Sequence, residues 1–403
     1  MSYAQEQAET IFKQYAPSLY QIRLIDKASG EKSSIGSGFQ ITANGLIATN
    51  YHVISGYARH PEKYLLEYLD SQGQKSTLSL ESVDVTNDLA LVKRELNEDN
   101  TFFEIAPHAP IKGEELYSLG NPNDLGMIVV PGTYNGLKAD SFSDRIHFTG
   151  SVNSGMSGGP VVNKEAQVVG INVATSGNQI GWLVPHDKLR ALYQDYLDAP
   201  PTSIEEQMKQ QLYANQKDLV SNLLQSNWEL KQLGSAKVPV VDVPFVKCWG
   251  ESNADKTEDK VLIVVANCAL NEDTYVSSKF YTGTLDMEYL YLKSKSLSPT
   301  KFYQYVQARI KSAGPSNDVS KDDATEFECQ HDLISAKENK ISNKAIFCTR
   351  AYKDYDDLFD VVYLGVSVDR YEEALISHFA LAGVSQESAQ AFMAKFMEAV
   401  SWK

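Results

Sequence analysis

The first half of the chain is built from short apolar runs closed off by turn residues. Leu46-Ile47-Ala48 follows the turn Ala43-Asn44-Gly45, and Leu89-Ala90-Leu91-Val92 follows Asn87-Asp88. Val168-Val169-Gly170-Ile171 and Trp182-Leu183-Val184-Pro185 repeat the form. Runs of this length bounded by Gly, Asn and Pro predict buried strands. Strands are expected from Tyr20–Ile25 to about residue 112 and again over about 113–186. Helical spacing is confined to a few segments. Ala4, Ala8, Ile11, Phe12 and Tyr15 recur near the 3.6-residue period and predict a helix over 1–16, and a closing helix is expected over 187–198. Ala199-Pro200-Pro201-Thr202-Ser203 marks a boundary. Ser203 there is an N-cap with Glu206 three residues on, predicting a polar helix over about 203–233 that leads to Pro239.

A chain of 403 residues is too long for one core, so two or three domains are expected. Its net charge of −15 argues against nucleic acid and anionic membrane as partners. No apolar run approaches the roughly 20 residues of a membrane helix, so membrane insertion is not expected. The opening Met1-Ser2-Tyr3-Ala4-Gln5 is polar and lacks a signal-peptide pattern. It fits either a mature export product restarted at Met or a cytoplasmic start.

Three short motifs carry candidate chemistry, in a fixed order. They are Ala48-Thr49-Asn50-Tyr51-His52-Val53, then Asn87-Asp88-Leu89-Ala90-Leu91-Val92, then Gly155-Met156-Ser157-Gly158-Gly159-Pro160. Each polar residue alone has a plainer reading: His52 as one of seven histidines, Asp88 as a strand start, Ser157 as a hairpin loop. Together they supply a mechanism. A serine hydroxyl needs a neutral imidazole to take its proton, and the imidazole needs a carboxylate to fix its tautomer. The order His, Asp, Ser is that of the chymotrypsin class. Glycines beside Ser157 allow a sharp turn that aims the N–H groups of Gly155 and Ser157, across Met156, at one oxyanion.

Residues ~30–190 resemble the protease domain of the HtrA/Deg family, within the chymotrypsin-like fold. Besides the three motifs, Gly36-Ser37-Gly38-Phe39 resembles the family's first barrel strand, and Leu119-Gly120-Asn121-Pro122 with Leu125-Gly126 the opening of the second barrel. Val162-Asn163, Val168-Val169-Gly170-Ile171-Asn172 and Gly181-Trp182-Leu183-Val184-Pro185 resemble the strands after the nucleophile. The resemblance implies an all-β double six-stranded barrel over 17–198, and a catalytic triad of His52, Asp88 and Ser157. It implies an oxyanion hole at Gly155, Met156 and Ser157, protein or peptide substrates, and no cofactor or metal. It leaves a homo-oligomer open. Two positions depart from the pattern: Met156 replaces the usual Asn or Asp, and Tyr51 stands where a polar residue commonly precedes the histidine. The start also lacks an Ile-Val-Gly-Gly-like segment, so activation by a cleaved N-terminus is not expected.

The pocket walls are read from Ser151, Val152, Asn172, Val173, Ala174 and Trp182. None is acidic, and an unpaired buried Lys or Arg is expensive, so a small or aliphatic residue is expected before the scissile bond.

All four cysteines lie in the C-terminal half and lack the close spacing of a zinc site. Two local disulfides, Cys248–Cys268 and Cys329–Cys348, are preferred, each worth about 3 kcal/mol, with four reduced core cysteines as the alternative. Disulfides imply an oxidising compartment, periplasmic or secreted; reduced cysteines imply a cytoplasmic one.

Residues 240–403 read as an α+β domain without the Gly-Leu-Gly-Phe-like loop of a PDZ domain. Two repeated hairpin-plus-helix units are expected, 240–315 and 325–403. Each runs from its cysteine pair through Asp286-x-x-Tyr289-Leu290 or Asp360-x-x-Tyr363-Leu364 to a helix. The acidic clusters Asp322-Asp323 and Asp354–Asp360 lack calcium-loop spacing and are read as solvated charge. Two function classes follow: a serine endopeptidase whose C-terminal half governs access, docking or assembly, and a binding or adaptor protein with a masked triad. An esterase would use the same three residues.

Overall fold

The computed structural model describes residues 3–95, 101–175, 177, 179–310, 314–334 and 341–402. The chain forms two compact units. The first is Met1–Gln211 together with Tyr275–Ser277; the second is Leu212–Thr274 with Ser278–Lys403.

In the first unit, α1 (Tyr3–Tyr15) has the expected helical stripe, with Ala8 and Ile11 buried and Tyr15 stacked on Phe103 at 4.6 Å. Seven strands follow: β1 (Leu19–Asp26), β2 (Lys32–Gln40), β3 (Leu46–Thr49), then α2 (Tyr51–Arg59), β4 (Tyr64–Leu69), β5 (Lys75–Thr77), β6 (Ser79–Asp84) and β7 (Leu89–Lys93). Their order is β5-β4-β1-β2-β3-β7-β6, an antiparallel half-barrel that stays open among the described residues and has seven strands where six were expected. The second set closes: β8 (Glu115–Gly120), β9 (Ile128–Leu137), β10 (Ile146–Thr149), β11 (Pro160–Val162), β12 (Val168–Thr175) and β13 (Ile180–Pro185) form a six-stranded barrel.

Two of the cores among the described residues lie in this unit. One fills the barrel with Leu116, Phe148, Met156, Val161 and Leu183. The other joins residues of both sheets, among them Phe39, Leu89, Leu91, Leu119, Ile171 and Val184. Each fully buried aliphatic or phenyl side chain there contributes about 1.5–3 kcal/mol. The apolar runs of the sequence are the strands of these cores.

After α3 (His186–Asp198), Ser203 Oγ accepts from Glu206 N at 3.2 Å and starts α4 (Ile204–Gln225). The glutamines of α4 explain why β6 can remain an edge. Gln207 Oε1 accepts from Val83 N at 3.0 Å, and Gln211 Oε1 accepts from Val85 N at 2.9 Å. Gln211 Nε2 donates to Val83 O at 2.7 Å. Side-chain amides take the place of a neighbouring strand and satisfy backbone groups that an edge would leave open.

In the second unit, α4 stops at Gln225, eight residues before the expected end at 233. Trp228 is the cause: its Nε1–H donates to Leu223 O at 2.8 Å and its ring packs on Phe392 at 5.3 Å. The chain turns there into the hairpin β14 (Asn227–Leu233) and β15 (Ala236–Asp242), so the segment expected as a helical linker to 239 is half helix and half strand.

The elements that follow are β16 (Val246–Ser252), β17 (Val261–Leu270), β18 (Thr274–Ser277), β19 (Phe280–Thr282), β20 (Leu285–Ser294), α5 (Pro299–Ile310), β21 (Glu328–Ile334), β22 (Asn343–Ala351), β23 (Phe359–Ser367), β24 (Glu373–Val384), α6 (Gln386–Ala399) and β25 (Ser401–Trp402), which pairs with β15. A seven-stranded antiparallel sheet runs β16-β17-β20-β24-β23-β22-β21, with a cysteine hairpin at each edge. Cys248 faces Cys268 and Cys329 faces Cys348 directly in register, and both disulfides are formed. The two Tyr-Leu pairs occupy the strands that flank β24. Adjacent strand residues point to opposite faces. Tyr289 and Tyr363 accordingly pack on Phe396 of α6, at 5.5 and 5.6 Å, while Leu290 and Leu364 share a core with Phe302 and Val306 of α5.

Of the acidic residues read as solvated, Asp322, Asp354, Asp356 and Asp357 are exposed, but Asp360 and Asp323 are not. Asp360 is 1% exposed and takes hydrogen bonds from Arg350 Nε, Tyr352 Oη and Gly383 N. Asp323 is likewise buried and accepts from Ser320 Oγ. Sequence position alone hid the arginine, which pairs from the neighbouring strand.

Candidate active site

His52 sits in the first turn of α2, immediately after β3, rather than in a strand end or loop. Asp88 precedes β7, the strand paired with β3, and the register brings it to the start of the helix. Its carboxylate grips His52 twice. Oδ2 lies 2.7 Å from the ring Nδ1, and Oδ1 accepts from the backbone N of His52 at 2.8 Å. A carboxylate on first-turn N–H groups also faces the positive end of the helix dipole. Asp88 holds a left-handed backbone, φ 62°, and its own carbonyl accepts from Asn50 Nδ2 at 2.7 Å. Burial disfavours the imidazolium, but the charge and hydrogen bond of Asp88 more than offset it, holding the His52 pKa above its ordinary value. With Nδ1 engaged by Asp88, Nε2 is left to exchange a proton.

Ser157 lies in the loop between β10 and β11. Its carbonyl accepts from Ser37 N at 2.7 Å, and Ser37 O accepts in turn from Thr49 Oγ1 at 2.7 Å. The Ser157 loop is thereby tied to β3, next to the helix that carries His52. Close approach enforces the glycines. Gly158 has φ +84°, and a Cβ there would stand 2.3 Å from Ser37 O and 2.9 Å from Asn50 N. Gly155 has φ +89°, and a Cβ would stand 2.4 Å from Asn121 O. Only glycine adopts these angles without strain and admits backbone so near.

Of the three residues assigned to the oxyanion hole, Met156 commits its N–H to Asn153 O at 3.0 Å and buries its side chain in the barrel core. The N–H groups of Gly155 and Ser157 have no hydrogen-bond acceptor among the described residues. Ser157 Oγ donates to Val173 O of β12 at 3.0 Å, and no hydrogen bond joins it to His52 among the described residues.

The pocket candidates separate. Val173 places its carbonyl at the serine. Ser151 is exposed, whereas Val152 is buried in the barrel core with Phe148 and Leu183. Asn172 is a brace rather than a wall: it is fully buried, accepts from Ser118 Oγ at 2.9 Å, donates Nδ2–H to Leu119 O at 3.2 Å, and its carbonyl accepts from Gly158 N at 2.9 Å. Trp182 is half-buried with its ring 5.4 Å from that of His147. The side chain of Ala174 lies outside the described residues.

Ser37 was legible only as part of a motif, yet it joins three parts of the site. Its hydroxyl donates to Gly155 O at 2.8 Å and accepts from Asn121 N at 2.9 Å. The loop after β8 supports the same turn: Asn123 N donates to Ser154 O at 2.8 Å, with Asn123 and Asp124 both at positive φ. Asp124 is held there by Gln21 Nε2 at 2.6 Å and by the ammonium of Lys32, which together keep its pKa below the ordinary carboxylate value. Among the described residues no group of three or more His, Cys, Asp or Glu side chains is placed to hold a metal ion.

Residues 36–171 match the family model of the trypsin-like peptidase domain. Among curated proteins, serine protease HTR4 of Rattus norvegicus is 30% identical over 229 residues, covering 53% of this chain and 46% of its own length. Serine protease HTRA4 of Homo sapiens is 26% identical over 228 residues, covering 53% of this chain and 45% of its own. The chain thus spans less than half the length of the curated relatives it matches. Among solved structures, Deg5 superposes with a TM-score of 0.42 at 23% identity, covering 48% of this chain and 96% of that one. The serine endoprotease from Yersinia pestis gives 0.41 at 24% identity, covering 49% of this chain and 67% of that one. Residues 36–171 are thus a trypsin-like peptidase domain, the chain is similar over about half its length to serine proteases of the HtrA type, and its C-terminal half lies outside the matched domain.

Proposed function

We propose that the chain is a serine endopeptidase in which Ser157 is the nucleophile, His52 the general base and Asp88 the residue that orients the base. The observation that carries this reading is the double grip of Asp88 on His52, at 2.7 and 2.8 Å, beside a serine whose loop holds two open N–H donors. Ser157 Oγ attacks the scissile carbonyl as its proton passes to His52 Nε2, and the resulting oxyanion takes hydrogen bonds from Gly155 N and Ser157 N. The imidazolium then protonates the departing amine, leaving an acyl ester on Ser157. Water, deprotonated by His52, hydrolyses the ester and restores the serine. Small or aliphatic residues precede the scissile bond, because no charged side chain among the assigned pocket residues is available to pair with a cation.

Protein or peptide chains are the substrates in this reading, and the residues after 211 govern their access or docking. Two disulfides favour an oxidising compartment, periplasmic or secreted. No described helix is long and apolar enough to cross a membrane.

A second reading is favoured by one contact. Ser157 Oγ rests on Val173 O rather than on His52, the arrangement of a masked triad in a protein that binds without cutting. The active reading requires the hydroxyl to rotate to His52, which frees Val173 O to accept a substrate N–H. Fluorophosphonate labelling of the full chain separates the two. Labelling abolished by Ser157→Ala, with casein cleavage falling on the order of 10⁶-fold in that variant, is expected of the peptidase. An unlabelled Ser157 selects the masked form, and retained cleavage by Ser157→Ala rejects the assignment.

A further inference from the structure

Beyond the triad residues, one more side chain reaches the catalytic histidine, and it comes from more than 200 positions downstream. Residues 275–277 belong to the first unit although the chain on either side of them belongs to the second. The Tyr275 ring stands edge-on to the His52 imidazole, with centroids 6.1 Å apart and planes at 79°. It meets Tyr51 in the same manner at 6.5 Å and 69°. Both distances lie in the range of attractive edge-to-face pairs. The Tyr275 hydroxyl is 3.4 Å from Ser55 Oγ, which donates to His52 O at 3.2 Å.

The backbone of this excursion is clamped. Tyr51, fully buried and immediately before His52, donates its hydroxyl to Val276 O at 2.9 Å, and Val276 is itself fully buried. The aromatic residue that replaces the polar one usual before the histidine therefore anchors the segment that brings Tyr275 to the imidazole.

We propose that Tyr275 is a positioning residue for the general base, delivered by the clamped segment 275–277, so that the peptidase site is complete only with this later piece of the chain. Asp88 holds the ring at Nδ1 but leaves it free to tip about that bond, and tipping moves Nε2 relative to Ser157. The edge-on phenol blocks that motion from one side. The same contact makes residues 275–277 part of the site's geometry, independent of any effect on substrate docking.

This inference rests on the triad reading, and the test keeps the two apart. Full-length Tyr275→Ala, Tyr275→Phe, Tyr51→Phe and Ser157→Ala are compared for cleavage of fluorescein-labelled casein and for the rate of fluorophosphonate labelling. Because a base displaced by about an ångström loses up to roughly 10²-fold, Tyr275→Ala is expected to lower kcat and labelling rate by about ten- to a hundredfold with apparent KM little changed. Tyr275→Phe, which keeps the ring, restores both. Tyr51→Phe loses the anchor and falls between them. Wild-type kcat in a folded Tyr275→Ala, or equal loss in Tyr275→Phe, overturns the proposal. Should Tyr275→Ala fail to fold, Tyr51→Phe decides, and an unchanged kcat in that variant overturns it. Cleavage surviving in Ser157→Ala is the separate signature of a wrong triad.

Discussion

Ser37 Oγ donates to the carbonyl of Gly155 at 2.8 Å, joining the second strand of the open half-barrel to the turn that carries Ser157. The same hydroxyl accepts from Asn121 N at 2.9 Å, so one side chain holds both Gly155 and the loop after β8. The three partners are buried, where an unmet hydrogen bond carries its full desolvation penalty. The position of Gly155 N–H is thus set by residue 37, over a hundred positions earlier in the chain.

Ser37→Ala leaves Gly155 O and Asn121 N without their buried partner. A loss of about 1–3 kcal/mol in unfolding free energy is expected, read from urea denaturation. Fluorophosphonate labelling should slow by more than the small population of unfolded protein explains, because the oxyanion turn loosens in the folded state. Unchanged labelling in the folded variant would show that the turn is held by other contacts.

Gly155→Ala tests the donor itself. The left-handed φ and the 2.4 Å approach of a Cβ to Asn121 O force the turn to move. Displacing one oxyanion donor costs on the order of 10²–10³ in kcat, so a loss of that size with little change in apparent KM is expected for casein cleavage.

The pH dependence of kcat/KM follows from His52. Burial works against its imidazolium, and the neighbouring Asp88 charge and hydrogen bond more than offset burial, so its pKa lies above 6.5. The base must be neutral to accept the serine proton, so activity rises with pH through a limb placed above 6.5. In Asp88→Asn the attracting charge is gone and burial remains, so the limb moves to lower pH. kcat falls by about 10⁴ in the same variant, because the imidazole loses its fixed tautomer. A limb that stays in place in Asp88→Asn would mean that a group other than His52 titrates.

The pairing of His52 with Asp88 was legible because each sits inside a contiguous motif whose strands the apolar runs also predict. The disulfides were legible from spacing, since cysteines about twenty positions apart fall opposite one another in a hairpin. Other features depend on pairings that no local pattern encodes. Asn172, read as a pocket wall, braces the Ser157 loop because its fully buried amide meets Ser118 and Leu119 across the barrel. Asp360, read as solvated, is buried because Arg350 lies beside it on the next strand. The helix expected to run to 233 ends at Gln225 because Trp228 finds Phe392, over 160 positions away. Tyr275 left no trace at all, for its neighbours are turn and strand residues with no catalytic pattern.

The two disulfides should stabilise the second unit independently of the peptidase chemistry. Closing loops of 20 and 19 residues is worth about 3 kcal/mol each. Cys248→Ser with Cys268→Ser, and separately Cys329→Ser with Cys348→Ser, should each lower the unfolding free energy of the second unit by that amount. Wild-type protein treated with dithiothreitol should show the sum. Unchanged denaturation midpoints in both double variants would mean that the edge hairpins contribute nothing to the cooperative unit.

Acid stability of the second unit turns on Glu373. Burial raises its pKa, but hydrogen bonds from Ser235, Lys293, Arg370 and Tyr291 prevail and bring it down to about 2. Lys293 Nζ lies 3.1 Å from Oε1 and Arg370 Nη1 2.7 Å from Oε2. A carboxylate with a folded pKa below its unfolded value of 4.5 stabilises the fold above 4.5, and that contribution is lost as pH falls toward 2. The shift corresponds to about 3 kcal/mol at neutral pH. Unfolding free energy measured by denaturant titration should therefore fall between pH 4.5 and 2 in the wild type. Glu373→Gln should be less stable at neutral pH and lose much of this acid dependence, because its amide does not titrate and leaves Lys293 and Arg370 unpaired. Equal slopes in the two proteins over that window would assign the acid sensitivity to other carboxylates.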